Sequence, residues 1–209
     1  MRLLVVTAVD AEAEAVRAGA DPDLVVVEPV GVGPAAAAAG TSRLLALAEA
    51  AGRPFRAVLS AGIAGGFPGR AGIGATVIGL RSIAADLGAE SVDGFLPIES
   101  LGFGSGVWVA DAGLVEMLTA ALPHAVAGDV LTLSTVTGTA ATAARLSGAH
   151  PAAVAEAMEG FGVACAAAVS GVPFAELRTV SNSVGPRDRS AWRLADAFAA
   201  LTAAAKSLA

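Results

Sequence analysis

The chain is poor in the residues that most often announce a function. Its 209 residues include one cysteine, Cys165, and two histidines. No intramolecular disulfide is possible, and a structural zinc site lacks the ligands it would need. Neither His124 nor His150 is given a role, and neither a metal nor a cofactor is expected. Aromatic residues make up 4% of the chain and charged residues 15%. Basic residues form no cluster beyond Arg187 and Arg189, so the electrostatic footprint of nucleic-acid binding is missing. The net charge of -6 speaks for solubility rather than for any particular partner.

Long apolar runs are scarce as well. Mean hydropathy is high, at +0.69, yet the longest stretch free of charge, Gly160 to Ala175, has 16 residues and includes glycines, a serine and a proline. A membrane span needs about 20 predominantly apolar residues. At the start, the apolar run after Arg2 is broken by Asp10 and Glu12 too soon for a signal peptide. The expectation is a cytoplasmic protein with no membrane partner. The apolar excess then predicts a subunit interface, and with it a homo-oligomer of two or more copies.

What the sequence does have is alternation. Short β-branched runs predict strands over Leu3–Ala8, Leu24–Val27, Arg56–Ser60, Ala75–Arg81, Val130–Val136 and Phe174–Val180. Between them, helical patterns run from Asp10, read as an N-cap, to near Gly19, from Pro34 to about Ala51, over Asp111–Leu122 and over Ala191–Leu208. Ala61–Gly66 reads as a glycine-rich turn and Ser82–Gly106 as loop with at most one short element. Pro151–Ser170 reads, on pattern alone, as one long helix, although Gly160 and Gly162 inside it would each cost about 1 kcal/mol relative to alanine. Strands alternating with helices predict an α/β fold, a single domain over residues 1–209. Its helices would flank a central, twisted, mostly parallel mixed sheet in three layers.

Ligands of such folds lie at the carboxyl ends of strands. That nominates Asp10 and Glu12, the Ser60–Gly66 turn, Thr137 and Thr139, Glu159 and Asn182. Each has an ordinary reading too. Acids in a first helical turn interact favourably with the helix dipole, by about 0.3–1 kcal/mol each; a functional reading makes one of them a general acid/base. The glycine turn serves either tight packing or close approach of backbone to a ligand. Gly31-Val-Gly33 resembles half of a dinucleotide fingerprint, or packs a strand against a helix. Glu159 has Met158, Phe161 and Val163 for neighbours, and an acid in an apolar context is usually paired or functional. Asn182 and Arg187 either shape a turn with Gly185 and Pro186 or line a pocket.

Taken in order, these residues resemble the purine nucleoside phosphorylase superfamily, in its hydrolytic branch. Leu3–Glu12 is similar to the start of 5'-methylthioadenosine/S-adenosylhomocysteine nucleosidases. Gly31-Val-Gly33, Ser60–Gly66 with Gly74, and Ala157-Met-Glu159 fall in the same register. The resemblance spans nearly the whole chain and implies a nucleoside phosphorylase-like fold and a small-molecule nucleoside substrate. It makes Glu12 the acid/base that activates water and assists departure of the base. Glu159 would hold the ribose hydroxyls, with Met158 against the sugar. Ser60, Gly62, Thr137 and Ser181 would border the substrate. It also implies a short strand up to Met158 and a helix after Gly160.

Two departures carry information. Nucleosidases that act on adenine nucleosides have an aspartate where this chain has Asn182. An asparagine offers one acceptor and one donor, matching the ring N–H and exocyclic oxygen of a 6-oxopurine. Unpaired buried groups would penalise the wrong base by about 1–3 kcal/mol each, so hypoxanthine is the expected leaving group. Ile63 stands where the adenine enzymes have a serine near the attacking water, which leaves Ser60 or turn backbone to hold it. The related phosphorylases carry a basic residue where this first strand leads into acids, so water is the expected nucleophile. Arg187 or Arg189 would meet a carboxylate on the 5'-substituent. The competing readings are an adenine nucleosidase or phosphorylase on the same fold, a dinucleotide-dependent oxidoreductase resting on Gly31 and Gly33, and a non-catalytic nucleoside-binding module.

Overall fold

The computed structural model describes residues 2–208. The first strand sets the layers. β1 (Leu3–Thr7) is buried at every position, which demands cover on both of its faces. Leu3 and Val5 pack with Ala13 and Val16 of α1 (Asp10–Arg17), Leu118 of α3 (Ala112–Ala121) and Leu201 of α6 (Leu194–Ala205). Leu4 and Val6 turn the other way, towards Ala37 and Leu45 of α2 (Pro34–Ala50) and Val163 and Ala167 of α5 (Gly160–Val169). Small residues let α2 and α5 close up: a Cβ on Gly162 would stand 2.1 Å from the Pro34 carbonyl oxygen.

β1 pairs in parallel with β2 (Val25–Pro29) and β3 (Ala57–Gly66). The expected mixed, mostly parallel sheet continues through β4 (Thr76–Ala84), β8 (Val126–Thr132), β9 (Ala153–Ala157) and β10 (Phe174–Ser183), with β7 (Val107–Val109) on β4. Its closure was not foreseen. β10 pairs with both β3 and β4, while Gly65 and Gly66 of β3 pair with β9. Together with the pairings of β8 to β4 and β9, these make a ring of strands β3, β10, β4, β8 and β9.

Several expectations are corrected, the first by that ring. Ala61–Gly66 is not a turn but the second half of β3. Its end is crowded by β10 and by the loop that follows; a Cβ on Gly66 would meet Val180 Cγ1 at 2.8 Å and the Ala71 carbonyl oxygen at 2.2 Å. The strand expected at Val130–Val136 ends at Thr132. Thr139 instead caps a helix that was not expected, α4 (Ala140–Ala149), accepting a bond from the Thr142 N–H. Within Ser82–Gly106 lie the end of β4, a hairpin of β5 (Gly88–Ser91) and β6 (Gly94–Pro97), and a 3-10 turn at Ile98–Leu101. Val9, not Asp10, is the N-cap of α1. Pro151–Ser170 is not the one long helix of its pattern but β9 followed by α5, with Gly160 opening the helix, as the family resemblance implied. No helix among the described residues is long and apolar enough to cross a membrane.

Candidate active site

The carboxyl ends of β1, β3, β9 and β10 converge on a cleft of about 530 Å³. Glu12, Met158, Glu159, Ser181, Asn182 and Arg187 all line it, so most of the residues singled out in the sequence come together there. Ser60, Gly62 and Thr137 do not border this space. Gly62 lies against Glu12, Ser60 reaches the cleft only by way of Arg178 and Glu159, and Thr137 lines a smaller recess beside it.

Glu12 sits in the first turn of α1, 4% exposed. Its Oε2 accepts from the N–H groups of Ala8 at 2.9 Å and Val9 at 3.3 Å. The Val9 bond is half of a capping box, in which a glutamate three positions into a helix reaches back to the N-cap backbone. Its Oε1 accepts from the Ile63 N–H at 2.9 Å. Ile63 therefore meets the carboxylate through its backbone. Gly62 makes the approach possible, since a Cβ there would lie 2.5 Å from Glu12 Oε1. Burial pushes the Glu12 carboxyl above its ordinary range, against the opposing pull of the Arg178 cation and the backbone donors.

Glu159, 6% exposed, is the N-cap of α5. Its Oε1 accepts from the Gly33 N–H at 3.2 Å, and its Oε2 faces the Met158 N–H at 3.3 Å. Gly33 is the N-cap of α2, so this carboxylate occupies the positive end of that helix. The Gly31-Val-Gly33 loop, with left-handed φ of 100° and 88° at its glycines, is thus turned on an internal acid rather than left open for a pyrophosphate.

Between these acids lies a cation that the sequence reading missed. Arg178 is 1% exposed. Its Nε donates to Glu176 at 2.9 Å, Nη1 to Glu159 at 3.3 Å and Nη2 to Ser60 at 3.0 Å. Glu176, fully buried, also accepts from the Ser82 hydroxyl. Burial pushes the Glu176 carboxyl up, while Arg178 and Ser82 pull it back. Burial also opposes the charge on Arg178, but Glu176, Glu159 and Glu12 outweigh it and hold the guanidinium protonated. The signal was present: Phe174-Ala-Glu-Leu-Arg-Thr-Val180 places two charges of opposite sign on one face of an otherwise apolar strand. Alternation puts Glu176 and Arg178 on the same side.

Asn182 belongs to β10 itself rather than to the loop after it. The register between β10 and β3 slips between Val180 and Asn182. Such a bulge bends a strand and re-aims the following side chain. Ser181 Oγ lies 2.8 Å from Asn182 Oδ1, and Asn182 Nδ2 donates to the Ser183 carbonyl at 3.1 Å. One N–H and a lone pair of the amide remain free. Further out, Trp192 lines the cleft with Arg187, whose guanidinium stacks 5.4 Å from its ring; Arg189 stacks at 5.7 Å. Among the described residues, no three His, Cys, Asp or Glu side chains cluster as a metal site would need.

Residues 13–209 match the phosphorylase superfamily. The futalosine hydrolase of Streptomyces coelicolor is 52% identical over 100% of this chain and 95% of its own. A 5'-methylthioadenosine/S-adenosylhomocysteine nucleosidase from Colwellia psychrerythraea, solved with adenine, superposes with a TM-score of 0.83 at 20% identity, covering 100% of this chain and 94% of that one. Futalosine hydrolase of Helicobacter pylori does so at 0.81 and 15% identity, covering 100% and 97%. The same backbone fold is thus shared with both solved structures.

Proposed function

The chain belongs to the phosphorylase superfamily and, within it, to the futalosine hydrolases, and from that premise we propose how its cleft performs the reaction. The protein is an N-glycosyl hydrolase. It cleaves the bond between hypoxanthine and the ribose of futalosine with water, a step that would serve menaquinone synthesis. The observation that carries the residue assignment is the convergence of Glu12, Glu159 and Asn182 on one cleft.

Departure of a purine leaves an oxocarbenium-like sugar, which negative charge fixed nearby stabilises. Glu159 accepts from the ribose hydroxyls, with Met158 against the sugar. Glu12, in its ionised form, takes a proton from the attacking water, and that proton balances the charge of the departing hypoxanthine, which leaves with the bonding pair of the broken C–N bond. Three backbone N–H groups hold its two oxygens in place before substrate arrives, so little reorganisation is needed. Asn182 offers its free N–H and lone pair to the edge of the base. Water as nucleophile is supported by the state of Arg178: it is 1% exposed, is not among the residues lining the cleft, and already donates three of its five N–H groups within the protein, which leaves a poor grip for phosphate. Arg187, on the cleft wall with Trp192, is our choice for the carboxylate of the 5'-substituent. Ser60 acts by fixing Arg178 rather than by touching substrate. Self-association is a further part of the proposal, since Val109 and Val169 stand 70% and 87% exposed; sedimentation would report it.

The test is to incubate purified protein with futalosine, inosine and 5'-methylthioadenosine and identify the released base. Hypoxanthine from futalosine is expected. Adenine as the preferred product would overturn the reading.

A further inference from the structure

The cleft contains one buried carboxylate that the hydrolysis above leaves without a task. Glu156, on β9, is 5% exposed. Gly65 is its register partner across the closure of the sheet, and Gly65 is also the register partner of Asn182 on β10. The two side chains therefore flank a single glycine. A Cβ on Gly65 would lie 3.4 Å from Asn182 Nδ2 and 3.5 Å from Glu156 Cγ. Both residues line the cleft and the recess beside it.

The protein only partly satisfies this acid. Thr137 donates its N–H to Oε1 at 2.9 Å and its hydroxyl to Oε2 at 2.6 Å. Neither the ion pairs nor the hydrogen bonds of the described residues supply it with a cation. Glu176, more deeply buried still, has Arg178 at 2.9 Å. Burial pushes the Glu156 carboxyl up, and the Thr137 bonds only oppose that shift. A buried charge held by two neutral donors is expensive, and each oxygen keeps a further acceptor site on a residue that lines the cleft.

We propose that Glu156 is the specificity-determining residue for the base: its carboxylate accepts the N1–H of a 6-oxopurine, while the free N–H of Asn182 donates to the neighbouring ring edge. This deepens the hydrolase reading above and rests on it. An amide carries both a donor and an acceptor, so Asn182 by itself has a partner to offer either kind of purine. A carboxylate carries acceptors only. Hypoxanthine presents N1–H to it; adenine presents the N1 lone pair, and the two acceptors repel. Thr137, singled out in the sequence as a substrate contact, becomes the residue that positions this carboxylate.

The test measures product inhibition of futalosine hydrolysis by hypoxanthine, 1-methylhypoxanthine and adenine. Wild-type protein should bind hypoxanthine about tenfold to a hundredfold more tightly than the other two, the scale expected where a buried polar group is left without its partner. Glu156→Gln should weaken hypoxanthine by about tenfold or more and narrow its advantage over adenine by a similar factor. Thr137→Val, which leaves the carboxylate in place but unpositioned, should fall between them. An unchanged hypoxanthine-to-adenine ratio in Glu156→Gln overturns the proposal. So does equal wild-type affinity for hypoxanthine and its 1-methyl derivative, a comparison that needs no variant to fold. If wild-type protein releases no hypoxanthine from futalosine, the hydrolase reading itself fails; if it does while these ratios stay flat, only the role of Glu156 is lost.

Discussion

Gly62 leaves no room for a side chain because Glu12 occupies it: a Cβ there would lie 2.5 Å from Oε1 and 2.9 Å from Cδ of the carboxylate, and 3.0 Å from Arg178 Nη1. The acid of the first helix and the cation of the last strand thus meet over a bare stretch of β3. Gly62→Ala should displace Glu12 while sparing the apolar core. A misplacement of about 1 Å can cost on the order of a hundredfold in rate, so turnover is expected to fall by about that factor. Steady-state kinetics at a temperature where circular dichroism shows the variant folded would check it; near-wild-type turnover would show that Glu12 tolerates the shift.

Glu12→Gln should lower turnover by about two orders of magnitude or more, through loss of the acid/base group. The pH profile gives the same assignment a second reading. Glu12 must be ionised to accept a proton from water, so activity declines as pH falls through its pKa. Burial raises that pKa, so the acid limb of kcat should lie above the value of about 4.3 typical of an exposed glutamate. A limb at or below that value would remove Glu12 from the role.

Arg178 and Glu176 are a stability matter before they are a kinetic one. Both are essentially unexposed, and Glu176 has no cation but Arg178 among the described residues. Arg178→Met strands that carboxylate, a loss of about 3–5 kcal/mol. Adding Glu176→Gln to Arg178→Met should recover part of it, because the charge left without a partner is gone. Urea unfolding of the two variants separates these outcomes; equal losses in both would mean that the pair is not coupled.

The part of the site that was legible in the sequence is the part carried by single residues against an apolar background. Glu12, Glu159 and Asn182 stood out because each is polar at the end of a strand, and the order of layers followed from the unbroken burial of Leu3–Thr7. What stayed hidden depends on strand pairing between distant segments. Ala61–Gly66 reads as a turn until β10 is placed along it and β9 against Gly65 and Gly66, where a Cβ on Gly66 would have no room. Glu156 looks like one more acid of a helical pattern, and even with the strand that the resemblance implied, only the pairing of β9 and β10 with Gly65 brings it beside Asn182. α4 is rich in alanine and begins within a threonine-rich stretch, so neither a strong apolar period nor an acidic first turn marked it. Glu176 and Arg178 were overlooked for the opposite reason, since the β-branched and apolar residues around them dominated the pattern.

Asn182→Asp should shift preference from hypoxanthine nucleosides towards adenine ones. A second carboxyl group would then stand across Gly65 from Glu156, and two acids so close do not both ionise readily. The protonated member becomes a donor, which an adenine ring nitrogen accepts. The ratio of kcat/KM for inosine and adenosine in the variant and wild type reports the shift; an unchanged ratio would remove Asn182 from base recognition.

The most direct test of hydrolysis as the reaction of this cleft is the phosphate dependence of futalosine cleavage. The rate of hypoxanthine release should be the same in phosphate-free buffer and at saturating phosphate, with no phosphorylated sugar among the products. Release that needs phosphate, or a sugar 1-phosphate product, would contradict it.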